Sequence, residues 1–234
     1  MYKKCNSYKE QIDCIDSLIN KCESITLTLT KQHPKDARLV AMNAVKGIAK
    51  ATKQKLTLLS KITDGSNQEK TNAWASIGFQ PSPNQQEAED VCYYFSQATK
   101  LGFIVLSQFQ IENCITNICP AIGVSPNREG FSNAVTAIRV GGHITMDQDN
   151  QFNIPARIRN SLHNGGMHNK ADFGPFNIGN AQYFFQQNKK VDCATFEHIA
   201  NALENSVTLL EKLFALPSVS ATKHIDDAYA NTKP

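Results

Sequence analysis

The sequence predicts an all-α protein, a bundle of five or six helices joined by long connections. Two observations carry that expectation. Apolar residues return at spacings of three and four over long stretches, as in Ile12, Ile15, Ile19 and Cys22, and again in Phe196, Ile199, Leu203, Val207, Leu210 and Phe214. Helix-ending punctuation closes these stretches: His33-Pro34, Asp64-Gly65, Pro120, Gly141-Gly142, Gly165-Gly166 and Pro217.

The first helix spans about residues 7–30, although its end, ITLTLT, alternates like a strand. Ala41, Val45, Ile48, Thr52, Leu56 and Leu59 mark a second helix, stopped by Asp64-Gly65. Residues 1–65 thus read as an N-terminal helical pair packing on a core at 85–216. Between them, the polar segment 64–86 with Gly65, Gly78, Pro81 and Pro83 predicts a long loop with one turn around Trp74.

A long helix over 85–119 follows. Phe95, Ala98, Leu101, Val105, Gln108, Glu112, Ile115 and Cys119 share one side, and Ile104, Ile111 and Ile118 widen it, which makes this helix central. Ser125-Pro126 suits an N-cap and first helical position for a short helix ending at Gly141-Gly142. A polar loop then runs to Pro155, which opens a two-turn helix. Residues 169–190 have no clear period and read as a loop. For the last helix Asp192 is placed to cap, with Val191 and Phe196 as a hydrophobic staple. The polar segment 217–234 reads as a flexible tail.

The bulk numbers exclude several classes. The chain has 234 residues, 41% hydrophobic and 19% charged, with net charge +3, too small a balance to name an acidic partner. Seven cysteines without a C-x-x-C pair read as reduced core thiols of a cytoplasmic protein. MYKKCNSYKEQ lacks the apolar stretch of a secretory signal, and no run approaches 18 apolar residues, so no membrane association is expected. H-x-x-x-H, H-E-x-x-H, G-x-S-x-G and the P-loop pattern are absent, and no metal or other cofactor is expected. Nor do aromatics interleave with Lys or Arg in an obvious stripe for stacking single-stranded nucleic acid.

One segment carries chemistry: RIRNSLHNGGMH, residues 157–168. Arg159 and His163 are four apart, so they project from one helix face a turn apart, with Asn160 beside them and Arg157 about half a turn away. A neutral imidazole can take a proton from a ribose 2′-hydroxyl, and an imidazolium can give one to a leaving 5′-oxygen. A guanidinium can grip the scissile phosphate with two parallel bonds, and Asn160 can orient either group. The bland alternative is a polar helix end, where His and Arg meet the negative end of the helix dipole. Glu112 sits among apolar positions, where a carboxylate needs a partner, and Arg157 or Arg159 is the natural one. His143, after Gly141-Gly142, reads as an exposed loop residue.

The RN…H patch, the final amphipathic helix and the upstream LSQFQIENCITNI together resemble the HEPN superfamily (higher eukaryote and prokaryote nucleotide-binding) over about residues 88–216. That family's pattern is an arginine, four to six residues, then a histidine, usually with Asn, Asp or His directly after the arginine. Here Arg159-Asn160 has the polar follower but three residues before His163. Arg157 has five, but Ile158 follows it. Arg159 to His168 has eight.

The resemblance implies a metal-independent endoribonuclease of phage defence or a toxin–antitoxin system. Arg159, His163 and Asn160 would be catalytic, and Arg157, His168 and Glu112 auxiliary. His168 stands as a rival to His163. The alternative is a non-catalytic helical module that binds RNA, a nucleotide or a protein partner such as an antitoxin. For the nuclease the resemblance also implies a homodimer with two facing sites, and because a short cluster on one protomer makes a shallow site, the final helix and the helix before the cluster are expected to supply part of its interface.

Overall fold

A computed structural model describes residues 7–227, and Cys5 falls outside them. The described residues are mostly helical. They hold eight helices rather than five or six, plus two short antiparallel strand pairs.

Helix α1 (Tyr8–Thr28) begins where the Ser7 hydroxyl accepts from the Glu10 N–H, and it stays helical through most of ITLTLT. Helix α2 (Ala37–Asp64) packs along it. Ile15, Leu18, Val45 and Leu56 from this pair share one continuous core with Ile111, Phe152, Ile158 and Leu203. The expected loop at 64–86 contains a true helix, α3 (Asn67–Ser76). Its sequence is polar, so periodicity hides it, but a Ser66/Glu69 capping box starts it and burial of Ala73 and Trp74 against Ile62 holds it.

Helix α4 (Gln85–Ile122) runs through the molecule for 38 residues. Pro120 lies inside its last turn, and Gly123, at φ 82°, ends it in the left-handed region that glycine tolerates. Only part of the expected stripe faces inward. Gln108, Ile115 and Cys119 are buried, whereas Ala98 is exposed and Leu101 and Val105 are half-buried.

Helix α5 (Phe131–Val140) starts after Gly130 without a side-chain cap, so Ser125-Pro126 belongs to the connecting loop. Helix α6 (Met146–His163) is 18 residues long rather than two turns. Thr145 and Gln148 form a capping box at its start, and buried Ile154 and Ile158 flank Pro155, which is carried in the interior. The polar run MDQDNQ, which reads as loop, forms its first turns: Met146 and Asp147 are exposed, whereas Asp149 is buried and accepts from Arg139 at 2.7 Å.

Gly165 and Gly166, both at positive φ, turn the chain out of α6. The expected loop at 169–190 is a layer of two strand pairs. Strand β1 (Met167–His168) pairs with β4 (Lys189–Lys190), and β2 (Phe173–Ile178) pairs with β3 (Ala181–Phe185). Ala181, Tyr183 and Phe185 point inward and Gln182 and Phe184 outward, a strand period too short to read in the sequence. The Tyr183 hydroxyl donates to the His198 carbonyl, tying this layer to the last long helix.

That helix, α7 (Phe196–Phe214), is capped by Thr195 and not by Asp192. All six residues of its expected stripe are buried. Pro217 opens a short helix, α8 (Pro217–Ala221); residues 222–227 are tied to the body through buried Ile225 and Asp227, and the rest of the expected tail, 228–234, lies outside the described residues. Ile225 is buried and its N–H donates to Asp36, while Asn113 donates to buried Asp227. The anchor is an ion pair with side-chain exposures of 1% and 0%, Arg38 with Asp36, whose guanidinium also donates to the Val219 and Thr222 carbonyls.

Candidate functional site

The cluster sits on the last two turns of α6, packed across α4. Ile154 and Ile158 face the core, which turns the following arginine toward α4 and half out to solvent. Arg159 Nη1 donates to Glu112 Oε1 at 2.8 Å, and its Nε donates to Asn160 Oδ1 at 3.2 Å. Gln108, one turn before Glu112, donates to the same oxygen at 3.4 Å. The Arg159 and Glu112 side chains are 25% and 23% exposed, so water still reaches the pair.

Arg157 is placed otherwise. Its guanidinium lies 4.3 Å above the centre of the Phe173 ring, and burial pushes its pKa below the usual arginine value. It fastens the β2–β3 pair to α6. His163 is exposed at the last turn of α6, on the Arg159 side by helical spacing.

His168 does not join them. It is 3% exposed, its Nε2–H donates to the Ala171 carbonyl at 3.1 Å, and its ring rests against Phe185. A histidine held this way shapes the hairpin layer. His143 is half-buried rather than exposed, beyond Gly141 and Gly142.

Arg159 keeps chemical capacity despite its partners. A guanidinium carries five N–H donors. Two are used, one by Glu112 and one by Asn160, and both Nη2 protons remain for an incoming anion. The bond from Nε fixes the plane of the fork, which is what two-point recognition of a phosphate requires.

Sequence reasoning missed the cavity behind Glu112. It measures about 620 Å³ and is lined by Phe109, Glu112, Asn113, Asn117, Arg128 and Phe131 among others. Glu112 is therefore shared between this cavity and the Arg159 pair. Asn113 and Asn117 lie within the LSQFQIENCITNI segment, but Arg128 belongs to an irregular loop with no spacing to mark it.

Among the described residues no three His, Cys, Asp or Glu side chains gather as a metal site would require, and no helix is long and apolar enough to cross a membrane. Cys22, Cys92, Cys114, Cys119 and Cys193 are free thiols. Burial pushes Cys22 up to about 12 and Cys119 and Cys193 up to about 11, so none of these three supplies a thiolate near neutrality. No family model matches the chain, and no curated protein or solved structure does either.

Proposed function

We propose that the chain is a HEPN-like, metal-independent endoribonuclease. The observation that carries this reading is Arg159. It is braced by Glu112 and Asn160, it retains unused donors, and an exposed histidine follows one helical turn later. In the reaction, His163 as neutral imidazole removes the proton of a ribose 2′-hydroxyl. The 2′-oxygen attacks the adjacent phosphorus, and the bond to the 5′-oxygen breaks. A histidine in the imidazolium form returns a proton to that oxygen. Arg159 stabilises the charge that builds on the phosphate. The products are a 2′,3′-cyclic phosphate and a 5′-hydroxyl.

A shallow site on one protomer is completed in this account by a second copy, so that two Arg159–His163 sets face one cleft. The final helix, first expected to supply part of that interface, has little free surface for it. Thirteen of the 19 residues of α7 are buried within the chain, and Glu204 and Glu211 on its outer side bond Ser17 and Lys21 of α1. The side of α4 on which Leu106 and Phe109 are exposed is the better candidate.

One observation favours a second reading, a non-catalytic module for RNA, a nucleotide or a protein partner. Glu112 neutralises much of the charge that Arg159 would bring to a phosphate. The deciding experiment incubates the purified protein with single-stranded RNA in excess chelator, beside the same RNA bearing one 2′-deoxyribose at the cleaved position. Cleavage that survives chelator and stops at the deoxy position supports the nuclease. Binding without cleavage supports the module.

A further inference from the structure

The strand layer at 167–190 holds a second surface that the cluster does not use. Strand β3 turns Gln182 and Phe184 outward, and Gln186 is exposed just after it. These three residues line one shallow cavity of about 270 Å³ with Lys190 and Asp192. Phe184 is 38% exposed, an aromatic ring left on the surface between two amides. Lys189 and Lys190 form β4 beside them and are both exposed.

A third cation stands near. Lys100 on α4 is half-buried, and its pKa is pushed down first by burial and then by the charge of Lys190. None of Lys100, Lys189 and Lys190 makes an ion pair among the described residues. Two like charges near each other, one of them partly desolvated and neither neutralised, form a site that an anion would relax. Asp192 is the one carboxylate lining the cavity, set to accept from an amino group.

We infer that this face, Phe184 with Lys100, Lys189 and Lys190, is a docking track for single-stranded RNA. A base stacks on Phe184 while its edge meets Gln182, Gln186 or Asp192, and the lysines hold the flanking phosphates. Stacking tolerates any base and needs it unpaired, so the track selects single strands over duplexes. The track leads to the cluster. Val191 N–H bonds the Gly166 carbonyl and Gly166 N–H bonds the Ser161 carbonyl, which brings β4 to the same end of α6 as His163. Along α4, Lys100 lies about 18 Å from Glu112 at 1.5 Å per residue, a few nucleotides of extended strand. The inference rests on the nuclease reading for its choice of RNA, and it names how that substrate is held.

The test measures fluorescence anisotropy of a labelled 12-nucleotide RNA of mixed sequence, single-stranded and as a duplex, across a salt series. The variants are Phe184→Ala and the triple change Lys100→Ala, Lys189→Ala, Lys190→Ala, each checked for an unchanged melting curve. Phe184→Ala should weaken single-strand binding by about 5- to 150-fold with the same salt slope. The triple variant should flatten the slope of log affinity against log salt by about 2, at roughly 0.7 per phosphate contact.

Wild-type affinity and slope in both variants would overturn the track while leaving RNA cleavage standing. Equal displacement by a polyglutamate peptide would assign the cations to an acidic protein and overturn it too. A wild-type chain that binds no RNA refutes track and nuclease together. Loss of binding in these variants, alongside wild-type RNA binding with no cleavage, would keep the track and sink the nuclease reading.

Discussion

Glu112→Gln separates what the Arg159 pair contributes to stability from what it withholds from a ligand. Were the pair fully buried, removing the anion would cost about 3–5 kcal/mol, because a cation would be stranded without water. Were it fully exposed, the cost would be about 0–1 kcal/mol. At 25% and 23% side-chain exposure, with Arg159 still able to turn toward solvent, the cost falls between these limits, at about 1–2 kcal/mol. For a domain of this size each 1 kcal/mol moves the melting temperature by about 2–4 °C, so a fall of roughly 2–8 °C is expected. The same change releases charge. A neutral amide in place of the carboxylate would leave Arg159 as an uncompensated cation, so RNA affinity at low salt should rise while stability falls. Calorimetry and anisotropy on one preparation read both quantities. A melting curve indistinguishable from wild type together with unchanged affinity would show that the pair is solvated and inert, and would refute the reasoning that makes Glu112 the brace of Arg159.

Asp36→Asn strands the fully buried Arg38 and should cost about 3–5 kcal/mol, detected as a large drop in melting temperature and loss of amide protection over 217–227. Burial alone raises the Asp36 pKa, but hydrogen bonds from Arg38 and Ile225 and the Arg38 charge outweigh it and hold the carboxyl below the usual range. Its contribution is therefore present above the unfolded value of about 3.9 and lost as pH falls through the lower folded value, so Asp36→Asn should flatten the acid limb of stability; an unaltered limb would show that Asp36 does not drive it. His168→Ala should lower stability by about 1–3 kcal/mol through its lost hydrogen bond and ring contact, yet leave cleavage per folded molecule intact; lost cleavage with a normal melting curve would return His168 to the site. Light scattering at micromolar concentration should report a dimer that Phe109→Asp together with Leu106→Asp dissociates, and a strict wild-type monomer would remove the paired-site arrangement.

The long apolar periods were legible because burial on one helical face repeats over many turns. The Phe196–Phe214 stripe and most of the Ala41–Leu59 stripe emerged as core. Elements fixed by local polar chemistry were not. Helix α3 rests on one capping box and two buried residues, and the first turns of α6 show only one aromatic, Phe152, among polar neighbours. The strand layer stayed hidden because β1 and β4 are two residues each and β3 is five. At the site, helical spacing could pair Arg159 with His163, and the apolar setting of Glu112 signalled its need for a cation. Which of Arg157 and Arg159 meets Glu112 depended on Phe173 capturing Arg157 from a strand that the sequence does not announce. The inward turn of His168 depended on the same layer, through Ala171 and Phe185.

The central claim is tested most directly by single-turnover cleavage of one RNA in excess chelator, comparing wild type with His163→Ala, Arg159→Ala and Arg159→Lys. Loss of proton transfer at His163 should slow cleavage by about 10²–10⁴-fold with the fold intact. Arg159→Ala should slow it comparably, and Arg159→Lys should recover little, because an ammonium cannot present the two-pronged fork to a phosphate. An active wild-type protein whose rate survives both His163→Ala and Arg159→Ala would contradict the account.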